Sequence, residues 1–137
     1  MGALDERIKN ARVYFGKAIE KSLVLVFEEE EDVMDGIEKA MLENLVFEGE
    51  LLSIEGTFKE CVVSVLQKSN VRFKTLTLPK IKAISGKVRI KKEDKTLFGV
   101  IRIGIKEGNS ITSAVLHKAK AKEGLKIKIK FYEIIEE

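Results

Sequence analysis

Few side chains in this 137-residue sequence belong to the types that carry out reactions. His117 is the only histidine, Cys61 the only cysteine, and tryptophan is missing. Nucleophilic catalysis by a thiol or hydroxyl needs a base beside it, usually a histidine held by a third group. His117 is the one imidazole on offer, and its surroundings, Ser113-Ala114-Val115-Leu116-His117, read as a strand. No orienting group stands out for a Cys61–His117 pair, so a partly exposed strand histidine is the simpler reading. A lone cysteine also excludes an intramolecular disulfide and a thiolate-built zinc site. The acidic run Glu28 to Asp32 offers oxygen ligands but lacks the glycine and the ligand period of a calcium loop. No GxxxxGK[ST] or GxGxxG sequence occurs, and no pair of carboxylates is singled out for acid–base work. Catalytic residues, metal ligands and cofactors are therefore not expected.

The lysines carry the one binding pattern. Lys126, Lys128 and Lys130 alternate with Leu125, Ile127, Ile129 and Phe131, which describes a half-buried strand with a cationic outer face. Lys118, Lys120 and Lys122 precede them with the same period. Such a stripe can neutralise backbone phosphates without reading bases, so DNA is a candidate partner. Lysines on exposed strands also guard against edge-to-edge pairing. Aromatic residues are few on these faces, Tyr132 being the nearest, which disfavours single-strand recognition by stacking. The formal charge of +3 hides a division along the chain. Residues 1–60 hold 7 Lys/Arg against 15 Asp/Glu, a net of −8, and residues 61–137 hold 18 against 7, a net of +11. That polarity suits an anionic partner, acidic and basic surfaces meeting between subunits, or plain solvated strand faces.

These residues need elements to position them. One domain of 1–137 is expected, since the length suits a single core and no repeat, low-complexity tract or Pro/Ser-rich linker marks a boundary. Leu23 to Phe27 reads as a buried strand, and residues 11–19 as a strand or a short helix and strand. Val33, Ile37, Ala40, Met41 and Leu45 form one apolar stripe, which predicts an amphipathic helix over residues 31–44 with the acidic run at its positive end. From residue 45 the period changes to two. Strands are predicted around Val62–Leu66, Val71–Thr77, Val88–Ile90, Ile101–Ile105 and Leu125–Phe131, with turns at Ser69-Asn70, Lys92–Lys95, Glu107-Gly108-Asn109 and Glu123-Gly124. The expected class is α+β: a mainly antiparallel sheet of seven to nine strands and one helix. No apolar run approaches membrane-spanning length, and the opening residues hold no signal-peptide stretch, so a cytoplasmic protein is expected. One Gln, four Asn and abundant Lys, Glu and Ile match a thermophilic profile.

The order of these segments resembles the plant- and prokaryote-conserved (PPC) domain family. Leu23-Val24-Leu25-Val26-Phe27, the acidic run and the helix Val33–Met41 look like its opening strand, acidic turn and helix. Gly49 to Phe58 is similar to its "SGIGS" strand and loop, Lys80 to Val88 to its "LEILSLSG" strand after a proline, and Glu107-Gly108-Asn109-Ser110-Ile111 to its late hairpin turn. The likeness covers residues 22–132. It implies a curved antiparallel sheet, one prominent helix and a homotrimer, with DNA binding as the associated function. The AT-hook of plant members has no counterpart here. The metal-binding histidines of many bacterial members are replaced by Phe98–Ile103 and by Val115, with His117 two residues on, so the resemblance carries no metal. The family's short Gly-rich turn falls at Ser53, Glu55 and Thr57, which makes those residues an alternative place for a small ligand or an enzymatic site between subunits. The leading expectation is a non-enzymatic, homo-oligomeric binding or regulatory module.

Overall fold

The computed structural model describes residues 16–67 and 70–136. Residues 11–15 and Ser69 of the expected 69–70 turn lie outside them. Among the described residues eight strands make one curved sheet: β1 (Gly16–Val26), β2 (Glu48–Glu55), β3 (Phe58–Gln67), β4 (Asn70–Thr77), β5 (Lys80–Ile90), β6 (Leu97–Glu107), β7 (Ser110–Ala121) and β8 (Lys126–Glu136). Among the described residues a single helix, α1 (Val33–Glu43), joins β1 to β2. The sheet order is β1-β8-β2-β5-β6-β7-β3-β4, and every pairing is antiparallel. The α+β class and the single helix are as the sequence predicts.

Period-two alternation gives the sheet two faces. One buries Leu51, Cys61, Val63, Val65, Val88, Ile90, Ile101, Ile103, Ile105, Leu116, Ile127 and Ile129. Against it lies the helix stripe Val33, Ile37 and Met41, each fully buried. The other face, called open below, carries the lysines of β7 and β8 together with exposed apolar side chains.

The helix is two residues shorter at its start than predicted. Glu28 to Glu31 form a turn rather than a first helical turn, and Asp32 is the N-cap, its Oδ1 accepting from the Asp35 amide at 2.9 Å. Leu45 does not continue the apolar stripe. It sits past the helix end with φ +55° and 77% of its surface exposed, while Val46 takes the buried place. The Val46 amide bonds back to the Met41 carbonyl at 2.8 Å, a reversal that needs a left-handed residue at position 45.

The acidic turn is clasped to the far end of the chain. The Phe27 amide donates to the Leu125 carbonyl at 2.8 Å, and Gly124 returns a bond to Phe27 at 3.0 Å. Glu30 donates to Ala121 at 2.8 Å, and Ala121 donates to Glu31 at 2.9 Å. Thus β7 pairs with β6 over its first half and with this turn over its second.

Candidate nucleic-acid interface

Register places the six lysines in two groups. Lys126 and Lys128 on β8 stand opposite Val26 and Val24 of β1 on one side and Glu55 and Ser53 of β2 on the other. Both are exposed, and neither makes an ion pair among the described residues. Lys130, next along the same strand, is half-buried between two acids, 3.5 Å from Glu50 and 3.8 Å from Glu20. The Glu50 charge, with that of Glu20, holds the Lys130 ammonium above its ordinary pKa. Lys118, Lys120 and Lys122 do not adjoin the β8 group, because β2, β5 and β6 intervene between β8 and β7 in the sheet. Lys122 faces the charge of Glu29 and Lys120 that of Glu30 in the acidic turn, while Lys118 pairs with Val62 of β3. Half of the sequence-read stripe therefore has acidic neighbours within the chain.

Lys59 bridges the same turn, 3.4 Å from Glu29 and in direct contact with Glu30. The Glu123 amide donates to Glu29 at 2.9 Å and lowers that carboxyl's pKa, while the Lys59 hydrogen bond lowers that of Glu30. The contrast between a −8 and a +11 half is thus partly met inside one chain.

Ser53 and Glu55 lie within the β2–β8 ladder, and Thr57 in the turn before β3, where its carbonyl accepts from Lys122 at 3.1 Å. A bulge at Leu52 shifts the register between Leu51 and Ser53, turning Ser53 and Glu55 to the open face beside Lys128 and Lys126.

His117 occupies a second bulge, between Val62 and Val63 on the partner strand. Its Nε2 lies 2.7 Å from Ser64 Oγ, and its ring centroid is 5.1 Å from that of Phe73. Sequence reasoning misses this contact, since Ser64 and His117 are 53 residues apart and meet only through the β3–β7 register. Cys61 is on the opposite, buried face, and burial pushes its thiol up to about 11. The two residues that could have formed a thiol–imidazole pair are separated by the sheet itself. Val115 pairs with Arg102 of β6 and with Ser64 of β3.

Between β5 and β6 the open face has a depression of about 520 Å³, lined by Ser85, Lys87, Arg89, Phe98, Val100 and Arg102, with Glu50 at its rim. Two glycines shape it. Gly99 has φ +137°, and a Cβ there would overlap the Lys87 carbonyl; a Cβ on Gly86 would come within 2.7 Å of the Val100 carbonyl. The two backbones approach as only glycine allows.

No family model matches the chain, and no curated protein matches its sequence. Solved structures do match its shape. A metal-containing protein from Archaeoglobus fulgidus superposes with a TM-score of 0.67 at 18% identity, covering 93% of this chain and 88% of that one. A plant- and prokaryote-conserved protein from Pyrococcus horikoshii gives 0.64 at 12% identity, covering 93% and 87%. A candidate DNA-binding protein from Bacteroides thetaiotaomicron gives 0.63 at 14% identity, covering 87% and 83%. At such identities the likeness is one of architecture, and the chain has the fold of a plant- and prokaryote-conserved protein.

Proposed function

We propose that the chain is a non-enzymatic, homo-oligomeric binding module that holds duplex DNA through the cationic outer row of β8. The observation that carries this reading is the free state of Lys126 and Lys128, exposed side by side on one strand without an ion pair among the described residues. Lys118, Lys120 and Lys122 stand apart from this row, Lys120 and Lys122 facing the acidic turn, and the proposed contact does not use them. Contacts of this kind position a protein on phosphates and read no sequence. The candidate DNA-binding protein of the same architecture supports the choice of partner.

Assembly is supported by two apolar patches at opposite ends of the sheet. Tyr132 and Ile134, two residues apart on β8, are 59% and 68% exposed at the β1–β8 end, and Leu66, Val71 and Phe73 are 74%, 61% and 66% exposed on β3–β4. Two different patches at opposite ends suit a head-to-tail contact, which closes into a ring when the rotation allows. We take that ring to be a trimer.

Gel retardation of duplex DNA at about 50 and 200 mM salt tests the reading, because phosphate contacts weaken with rising ionic strength. Retardation at low salt is expected. Lys126→Gln/Lys128→Gln should reduce the steepness of the salt dependence by roughly two, about 0.9 per lost phosphate contact. No retardation at low salt refutes the DNA reading. Light scattering should give three times the 15.4 kDa chain mass; a value near one chain refutes the trimer.

A further inference from the structure

We infer that the depression between β5 and β6 is a second, separate site, which takes a nucleoside phosphate. It stands apart from duplex binding by β8, in residues and in ligand. Its floor is set by the register: Ser85 faces Arg102, Lys87 faces Val100, and Arg89 faces Phe98. All of these side chains are on the open face, alternating with buried Val88, Ile90, Ile101 and Ile103.

The cations are not equivalent. Arg89 is held by Glu48 at 3.6 Å. Glu50 stands cross-strand from Lys87, and its carboxylate is turned to Lys130 at 3.5 Å. Lys87 and Arg102 are left without an ion pair among the described residues, as diagonal neighbours across the β5–β6 pair. Two unpaired cations flanking a concavity match the double charge of a phosphate monoester. Arginine adds a planar fork suited to its oxygens, and the Ser85 hydroxyl, cross-strand from Arg102, supplies a further donor.

The same depression has an apolar half. Phe98 is 42% and Val100 47% exposed. Phe98 lies four residues from Arg102 on β6, and two from Val100, whose partner is Lys87. At about 3.3 Å per residue the ring is roughly 7 Å along the strand from the Lys87 row. A phosphate held by Lys87 and Arg102 thus leaves a base, carried one sugar away, over Phe98 and Val100. The Lys91 ammonium lies over the Phe98 ring, 5.7 Å from its centroid, so a base stacking on Phe98 uses the ring's other face and has a positive charge across it. A volume of about 520 Å³ lies within the usual range for small-ligand sites. Lys87 and Phe98, eleven residues apart in the sequence, are brought into one depression by β5–β6 pairing.

The phosphate and base could come as a free nucleotide or as one unit of a single strand, and titration separates these sources. The intact chain would be titrated at about 50 mM salt with adenosine 5′-monophosphate, a short single-stranded oligodeoxyadenylate and inorganic phosphate, following backbone amide shifts. Saturable shifts of Ser85, Lys87, Phe98, Val100 and Arg102 are expected with either nucleotide probe. Saturation by the monophosphate identifies a free nucleotide; saturation by the oligomer alone identifies a single strand. Lys87→Gln/Arg102→Gln should weaken binding about tenfold or more. Phe98→Ala should weaken the nucleotide several-fold and leave inorganic phosphate unchanged. Lys126→Gln/Lys128→Gln should bind like the unaltered protein. These side chains are exposed, and dispersed amide spectra would show that each variant is folded. The inference is overturned if neither nucleotide probe saturates, if inorganic phosphate binds as well as both, or if Lys87→Gln/Arg102→Gln binds normally. Duplex retardation that survives Lys87→Gln/Arg102→Gln but not Lys126→Gln/Lys128→Gln would leave the β8 reading standing while this one falls.

Discussion

Cys61 shows how burial decides the chemistry of a side chain. Its surface is 1% exposed, and its thiol is pushed up to about 11 by burial, with the Glu60 charge adding to the effect. A thiolate is the reactive species, so native protein at pH 8 should give no fast reaction with a disulfide reagent, and one thiol per chain should appear on unfolding. Rapid labelling of the folded protein would contradict the burial described. Lys59 and the acidic turn make a second residue-scale expectation. Glu29 and Glu30 are lowered from 4.5, by the Glu123 amide and by Lys59 respectively, and Lys59 is raised from 10.5 by Glu30. A lowered carboxyl stabilises the fold above its unfolded pKa and loses that contribution as pH falls through its folded one. A raised lysine contributes below its unfolded pKa and loses it as pH climbs through the folded value. The melting temperature should therefore fall below about pH 4.5 and again above about 10.5. Lys59→Met should flatten both limbs, and melting curves across pH that are unchanged in that variant would count against the bridge.

At the scale of elements, the helix end at Leu45 is a local conflict with a simple repair. A leucine with φ +55° pays a steric cost of roughly 1 kcal/mol or more, and its exposed side chain recovers little by packing. Leu45→Gly should raise stability by about 1 kcal/mol, read as a higher urea midpoint with an unchanged slope. A lower midpoint would show that the exposed side chain has a packing role. The same residue marks where sequence reading stops. Val33, Ile37, Met41 and Leu45 obey one helical period, yet period alone cannot show that Val46 is the better residue to bury once the chain reverses. The strands were easier: Ile101, Ile103 and Ile105, or Ile127 and Ile129, announce their buried face by strict alternation. What alternation does not carry is sheet order. Lys118–Lys122 and Lys126–Lys130 look continuous in sequence, but three strands come between them, and the pairing of Ser64 with His117 depends on a bulge. The β5–β6 depression was hidden for the same reason, since Lys87 and Arg102 belong to neighbouring strands of a hairpin.

At the scale of the whole molecule, the open face is divided by chemistry: apolar patches toward its two ends, cations on β8, and a mixed depression at its centre. Its acidic and basic halves are interleaved, so the uneven charge along the chain becomes a more even distribution in space. That interleaving has its root in β1, which pairs with β8 from Gly16↔Glu136 to Val26↔Lys126. The acidic turn that follows it is clasped to residues 121–125. Neither early segment has its partners until residues 121–136 have been made. At the roughly 5–20 residues per second of protein synthesis, β1 must wait several seconds, and α1 with it for part of its cover. During that interval Leu23, Leu25 and Phe27 are without their neighbours, and the charged residues around them, Lys21 and Glu28 to Asp32, are what keep the nascent segment in water.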